Sequence, residues 1–255
     1  MRERRFYTII KKLYRGMVIT LSKEESYHIV TVLRLKEGAK VIIFNGESEA
    51  FEGKIKKIDI AGVIVILENS ITEYKELNSY IAVAGALPKN PVLDSYLPKL
   101  VDLGVKSIFL FQGDRSVMKI DDSEKKYARL GRKIIEASKL CGRTITPELF
   151  LLENIDATIS RIKSVIPDYQ DAQKWLFDEE IEEENLFSKS LKQNMLKTSQ
   201  SHILLFGTEG GLTRKEKKIA IESGFTGVSL GRRILRVETA IISAISILLS
   251  YIGEM

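Results

Sequence analysis

The chain has one cysteine, Cys141, in 255 residues, and only two histidines, His28 and His202, which lie far apart. A lone cysteine excludes an internal disulfide and suits a reducing compartment. Without a Cys/His cluster at ligand spacing, no metal site is expected. Five prolines and 17 glycines leave little room for long structureless linkers. Long apolar runs are missing too. The longest, Val237 to Ile252, is broken by Glu238, Thr239, Ser243, Ser246 and Ser250, and is too short and polar to span a bilayer. The basic start leads into mixed residues without the apolar core of a signal peptide. The expectation is a soluble, cytoplasmic protein with no membrane partner.

What is present describes an ordinary globular chain, 44% hydrophobic and 29% charged. Its length suits two unequal domains. A net charge of +5 and a pI near 9.1 favour a polyanionic partner without requiring one. The distribution says more. Residues 1–20 carry Arg2, Arg4, Arg5, Lys11, Lys12 and Arg15 against one acid, Glu3. The dense acidic run Asp178 to Glu184 reads as a solvated loop or helix start.

Residues 1–75 read as a compact β-rich unit. Ser22-x-x-Glu25 is a capping box opening a helix to about Leu33. Strand-like runs follow at 39–45, 50–59 and 62–67, separated by turn signals at Asn45-Gly46 and Ala61-Gly62. The β-branched run Val63 to Ile66 reads as buried on both faces. Short, closely spaced antiparallel strands imply a small barrel. The polar bridge near residues 70–78 marks the boundary, so the second domain is taken as 76–255.

Beyond it the rhythm changes to strand–helix alternation, which implies an α/β domain with a covered parallel sheet. Strands are expected at 80–87, 107–112, 175–178, 202–207 and 226–230. Helices are expected at 91–103, 123–140, 213–223 (capped by Thr213-x-x-Glu216) and 237–251. In the last, Val237, Ile241, Ala244, Ile245, Leu248 and Ile252 form a stripe that Ala240, Ile242, Ile247 and Leu249 widen around most of the circumference. Such a helix is buried on more than one side, and a second subunit is one way to cover it.

Two turns carry the chemistry. After the strand ending at Phe206 comes Gly207-Thr208-Glu209-Gly210-Gly211-Leu212-Thr213, a tight glycine turn into a helix start. Its glycines allow close backbone approach and positive φ, and the new helix exposes N–H donors. It is neither a P-loop nor a Rossmann fingerprint. After the next strand comes Leu230-Gly231-Arg232-Arg233-Ile234-Leu235-Arg236-Val237-Glu238-Thr239-Ala240. Three arginines in five positions at the carboxyl end of a strand sit where open α/β sheets bind ligands. The apolar pair Ile234-Leu235 argues against a freely solvated turn.

These two segments resemble the SPOUT methyltransferases and, more narrowly, the ribosomal RNA small-subunit methyltransferase E family. The likeness continues in Ala86-Leu87-Pro88-Lys89, in Leu97 to Val105, in Arg115-Ser116, in Glu136 to Arg143 with Pro147, and in His28-x-x-x-Val32-Leu33-Arg34 with Gly38, so it spans almost the whole chain. The chain departs from the family at Thr208 (usually proline), Leu140 (usually glutamine) and Pro98 (commonly glutamine).

The resemblance implies a carboxyl-terminal SPOUT domain, its parallel sheet tied in a trefoil knot, behind a small PUA-like β-barrel. It implies an S-adenosyl-L-methionine cofactor held by Leu205, Gly207, Gly210, Gly211, Leu230, Gly231 and Leu235. It also implies a homodimer, and methylation at N3 of one uridine in 16S rRNA of the small ribosomal subunit. Transfer from a sulfonium to a ring nitrogen is mostly a matter of alignment. A nearby cation steadies the anion left as the N3 proton departs. Arg236, and after it Arg232 or Arg233, is expected in that role or on rRNA phosphate, and Glu209 as proton acceptor or orienting group. Expected RNA contacts are Arg2, Arg4, Arg5, Lys11, Lys12, Arg15, Arg34, Lys89, Arg115, Arg232 and Arg233. Phe6, Tyr7 and Tyr14 are candidates to stack on bases or to pack in the core. The competing readings are a knotted methyltransferase for tRNA or a ribose 2′-hydroxyl, and a non-catalytic RNA-binding assembly protein.

Overall fold

The computed structural model describes residues 4–72, 75–119, 123–181, 185–193 and 200–255. The chain divides into two compact units: 1–76 with 134–146, and 77–133 with 147–255.

In the first unit, strands β1 (Arg5–Tyr7), β2 (Val18–Thr20), β3 (Lys40–Phe44), β4 (Ala50–Asp59) and β5 (Gly62–Ser70) form one sheet in the order β1-β3-β4-β5-β2. The β4–β5 pairing carries two register shifts, and such irregularities bend and twist a sheet around its core. That core gathers Phe6, Ile19, Ile29, Val41, Ile43, Phe51, Ile55, Val63, Val65 and Leu67. In β5, Val63, Val65 and Leu67 are buried while Ile64 and Ile66 are only half-buried. The run therefore has one core face, not two, because β-branched residues fit a pleated surface whether or not it is covered.

Helix α1 (Lys23–Tyr27) starts as expected, with Ser22 Oγ accepting from Glu25 N at 3.2 Å. Only that half of the capping box forms. The Glu25 carboxylate instead takes Lys139 Nζ at 2.9 Å and Tyr7 N at 3.2 Å, a buried ion pair outcompeting the local cap. The chain continues as a π-helical turn over His28–Val32 and ends at Arg34, whose φ of 52° is rare outside glycine.

Arg5 corrects the sequence reading. It is buried and donates from Nη2 to Arg143 O and Thr144 Oγ1, both at 3.2 Å, with its guanidinium over Phe44. Arg143 is itself buried, forked onto Glu76 at 2.8–3.2 Å. A guanidinium carries five donors, and burying it is costly unless partners such as these accept from it. Arg5 therefore belongs to the interior, not to a phosphate surface. Phe6 is wholly buried and Tyr7 packs edge-on against Phe44, which leaves only Tyr14 of the three aromatics exposed.

The second unit holds a six-stranded parallel sheet of β6 (Tyr80–Ala86), β7 (Ser107–Phe111), β8 (Glu148–Leu152), β9 (Gln173–Phe177), β10 (Ser201–Phe206) and β11 (Thr226–Val228), in the order β11-β9-β10-β6-β7-β8. The central strands are buried at every or nearly every position, as parallel strands covered on both faces must be. Helices α4 (Ile155–Val165) and α6 (Arg214–Glu222) pack on one face through Ile155, Ile159, Ile162 and Ala220. On the other, Phe187 of α5 (Phe187–Gln193) meets Trp175 and Phe177 edge-on. Helix α5 packs on α7 (Val237–Ile252), and α7 packs on α2 (Asn90–Asp102). Helix α3 spans Ser123–Cys141.

Strand β8 and helices α4 and α5 have no counterpart in the sequence reading, although Asn154 caps α4 and its isoleucines recur at helical spacing. In α7 the expected stripe and Leu249 are buried, and Ala240, Ile242 and Ile247 are half-buried.

His202 lies near the start of the central strand β10, wholly buried, with neither ring nitrogen hydrogen-bonded among the described residues. Burial pulls its pKa down to about 4 from an ordinary 6.5. The unfolded chain therefore binds a proton between pH 6.5 and 4 that the folded chain refuses. Stability should fall as pH drops through that window, by about 3 kcal/mol at pH 4. Urea melts across the window should be flatter for His202→Leu than for the unaltered chain. Parallel curves would show that His202 titrates normally.

Candidate active site

One cleft lies where three neighbouring strands end. It is lined by Phe177, Asp178 and Glu179 after β9, Phe206, Gly207, Thr208 and Gly211 after β10, and Ser229, Leu230, Gly231, Arg233 and Leu235 after β11. Val237 and Ala240 of the first turn of α7 complete it. About 540 Å³ lies between these walls, part of it open to solvent. In space β9 sits between β10 and β11, so the consecutive strands β10 and β11 are not neighbours, and the cleft forms where chain order and sheet order disagree.

The glycine turn is shaped by backbone against backbone. A Cβ on Gly207 would stand 2.6 Å from Gly211 C and 2.8 Å from Leu212 N, so no side chain fits there. Thr208 O accepts from Gly211 N at 2.9 Å, and Gly211 takes a φ of +69° to close the ring. Helix α6 then starts with a complete capping box: Glu216 N donates to Thr213 Oγ1, and Thr213 N donates to the Glu216 carboxylate at 2.7 Å. In the arginine turn, Ser229 Oγ accepts from Gly231 N at 3.1 Å, and Ser229 O accepts from Phe187 N at 2.9 Å.

The third wall corrects the acidic-run reading. Asp178 and Glu179 line the cleft, while residues 182–184 lie outside those described. The Asp178 side chain is only 7% exposed and is met by Lys217 Nζ at 2.6 Å. Lys217 also holds Glu180 at 2.7 Å, and that hydrogen bond keeps the Glu180 carboxyl below the usual range. The run begins at the carboxyl end of a strand, a position that marks a ligand-side loop in a parallel sheet. That signal was present in the sequence, whereas its pairing with α6 was not.

Of the residues singled out from sequence, Gly207, Gly211, Leu230, Gly231 and Leu235 line the cleft, and so does Arg233, expected on RNA. Leu205 does not. It sits within β10, its backbone engaged with β6 and β9. Gly210, Glu209, Arg232 and Arg236 are outside the lining. Arg236 is exposed at the N-cap of α7, without a side-chain cap. Glu209 is exposed, and its charge adds to burial in pushing up the hydroxyl pKa of Tyr96 in α2. The apolar pair splits: Leu235 lines the cleft, whereas Ile234 is 84% exposed. Arg4, Lys11, Lys12, Arg15, Arg34, Lys89, Arg115, Arg232 and Arg233 are exposed, and Arg2 lies outside the described residues. Among the described residues no cluster of metal-binding side chains occurs, and no helix is long and apolar enough to cross a membrane.

A family profile for an RNA methyltransferase domain matches residues 75–249, and one for an RNA methyltransferase PUA domain matches residues 21–68. The ribosomal RNA small subunit methyltransferase E of Buchnera aphidicola (subsp. Schizaphis graminum) is 30% identical over 94% of this chain and 93% of its own. The chain belongs to the ribosomal RNA small subunit methyltransferase E family. The Bacillus subtilis protein of that name is 28% identical over 99% of this chain and 98% of its own. Among solved structures, a Legionella pneumophila methyltransferase with bound SAM superposes with a TM-score of 0.85 at 26% identity, covering 98% of each chain. A ribosomal RNA small subunit methyltransferase E from Neisseria gonorrhoeae shares the fold, with a TM-score of 0.81 at 23% identity over 97% of each chain. The fold is thus the expected α/β SPOUT methyltransferase with a small amino-terminal PUA domain.

Gly207→Ala should cost roughly 2 kcal/mol in thermal melts, because backbone cannot yield as a side-chain tip would. Gly131→Ala, in α3 with nothing near its Cβ, should stabilise by about 0.5–1 kcal/mol. Equal effects at both sites would mean that the Gly207 turn is plastic.

Proposed function

We propose that this chain transfers a methyl group from S-adenosylmethionine to N3 of a uridine in 16S rRNA of the small ribosomal subunit. The observation that carries the reading is the convergence of the glycine and arginine turns in one cleft at the carboxyl ends of a parallel sheet. Family membership, the names of the relatives and the SAM-bound Legionella structure support it.

The residues present fit such a cofactor. Gly207, Gly211 and Gly231 form a cradle without side chains, and Gly231, at a φ of +112°, has nothing within 4 Å of its Cβ position. Phe177, Leu230, Leu235, Val237 and Ala240 offer apolar walls for a base, and the Glu179 carboxylate suits a cation, since that of Asp178 is already paired with Lys217. When bound, S-adenosylmethionine supplies an electrophilic methyl on a sulfonium. The protein's share is alignment and charge. Arg233 at the cleft and Arg236 beside it are cations suited to the anion that forms as uridine loses its N3 proton. Glu209 is the nearest carboxylate of the glycine turn outside the lining, and serves as the proton acceptor or orienting group. We place the phosphate contacts on Arg4, Lys11, Lys12, Arg15, Arg34, Lys89, Arg232 and Arg233. A homodimer that covers the half-buried face of α7, a carboxyl-terminal knot, a domain boundary near residue 76 and a cytoplasmic location belong to the same reading.

Incubation with labelled S-adenosylmethionine should methylate small subunits that lack the modification, and mapping should place the mark on uridine N3. Label on tRNA, or on a ribose hydroxyl, would redirect the assignment. Absence of S-adenosylmethionine binding, together with absence of transfer, would favour an assembly protein. Arg236→Ala should lower kcat by about 10²–10³ with little change in Tm; normal turnover would remove Arg236 from the reaction. RNA affinity should fall steeply between 50 and 200 mM salt, with a log–log slope of several units, and a flat response would argue against the basic surface.

A further inference from the structure

Arg115 stands in the loop after β7, where sequence alone marks it as a phosphate contact. Its position suggests different work. Arg115 Nη1 donates to Gly210 O at 2.5 Å, the carbonyl at the outer corner of the glycine turn. Gly210 is outside the cleft lining, while Gly211, the next residue, is inside it. Arg115 therefore holds the turn at the residue next to one of the cleft lining.

The loop that carries Arg115 is fixed. Ser116 N donates to Gly113 O at 2.9 Å, and Gly113 N donates to Ser116 Oγ at 3.1 Å. Gly113 is pressed on β6, since a Cβ there would stand 2.8 Å from Ala86 Cβ. Asp114 N donates to Glu216 Oε1 at 3.0 Å. A long side chain holds a carbonyl in place only if its own backbone is held, and here it is.

The surroundings also disfavour a phosphate. A Gly211 Cβ would meet Glu179 Oε1 at 3.1 Å and Arg115 Nη1 at 3.8 Å, so a carboxylate and the guanidinium flank the same glycine. A carboxylate beside the same glycine offsets part of the cation's pull on a polyanion.

We infer that Arg115 is a positioning residue for the cofactor turn, setting the Gly210–Gly211 peptide for the methyl donor instead of binding RNA. The inference rests on the proposed function. A charge-assisted hydrogen bond to one carbonyl, made by a partly exposed side chain, is worth about a factor of ten in the affinity of whatever that carbonyl's turn binds.

The test uses the full chain and three readouts. In titration calorimetry with S-adenosylmethionine, Arg115→Ala should weaken the donor Kd roughly tenfold, and Arg115→Lys, which keeps a cationic donor, should recover part of the loss. In steady-state transfer to unmodified small subunits, KM for the donor should rise while kcat at saturating donor and KM for the subunits stay put. The slope of log affinity for subunits against log salt should be unchanged, and Tm should move by no more than about 2 °C. Unaltered donor affinity in Arg115→Ala, or a donor affinity preserved while subunit affinity and the salt slope fall, overturns the inference and returns Arg115 to the RNA surface. If the unaltered chain fails to bind S-adenosylmethionine at all, the proposed function falls and this inference goes with it.

Discussion

A single buried carboxylate, that of Glu216, organises the ligand end of the catalytic unit. It accepts from Thr213 N, Thr213 Oγ1 and Asp114 N, all within 3.0 Å. The first two bonds close the cap of α6 and so fix where the glycine turn ends. The third ties in the loop after β7. A buried carboxylate needs donors in place of water, and these donors come from two loops at once. The cap that starts a helix is therefore also the joint between two loops at the cleft, which neither loop's own sequence would reveal.

The parts of the site that were legible in the sequence depend on local rules. The Thr213-x-x-Glu216 box, the glycines of the turn and the burial stripe of α7 are each set by neighbours within a few residues, so spacing alone exposes them. What stayed hidden was decided by partners far along the chain. Arg5 reads as a surface cation until Arg143 and Thr144, well over a hundred positions away, claim its donors. Glu25 reads as half of a capping box until Lys139 takes its carboxylate. Asp178 reads as part of a solvated acidic run until Lys217 meets it in the wall of the cleft. In all three, a charged group followed the partner that best offset its burial, and one-dimensional spacing carries no record of that choice.

Backbone conformation shows the same division. Gly207 and Gly211 announced a turn, but the reason that Gly207 tolerates no substitute is the carbonyl carbon of Gly211 lying 2.6 Å from its Cβ position. A sequence gives the permission to turn tightly; only the closed ring shows the obligation. His202 is the converse case. Nothing in its local pattern distinguishes a core histidine from a working one, and its position at the start of β10, away from the carboxyl ends that form the cleft, assigns it to the core.

Charge around the cleft is mixed. Asp178 in its wall is paired with Lys217, Glu179 lies beside Gly211, and the arginine turn carries exposed Arg232, Arg233 and Arg236. In the proposed reaction the cationic donor meets the Glu179 carboxylate, and the polyanion meets the arginine turn. The roles of the basic residues differ as well. Exposed arginines of the arginine turn suit the polyanion, whereas in the proposed reading Arg115, bonded to the Gly210 carbonyl, serves the shape of the glycine turn. Exposure on its own therefore does not identify an RNA contact in this chain. The nearest carbonyls and carboxylates have to be taken into account first.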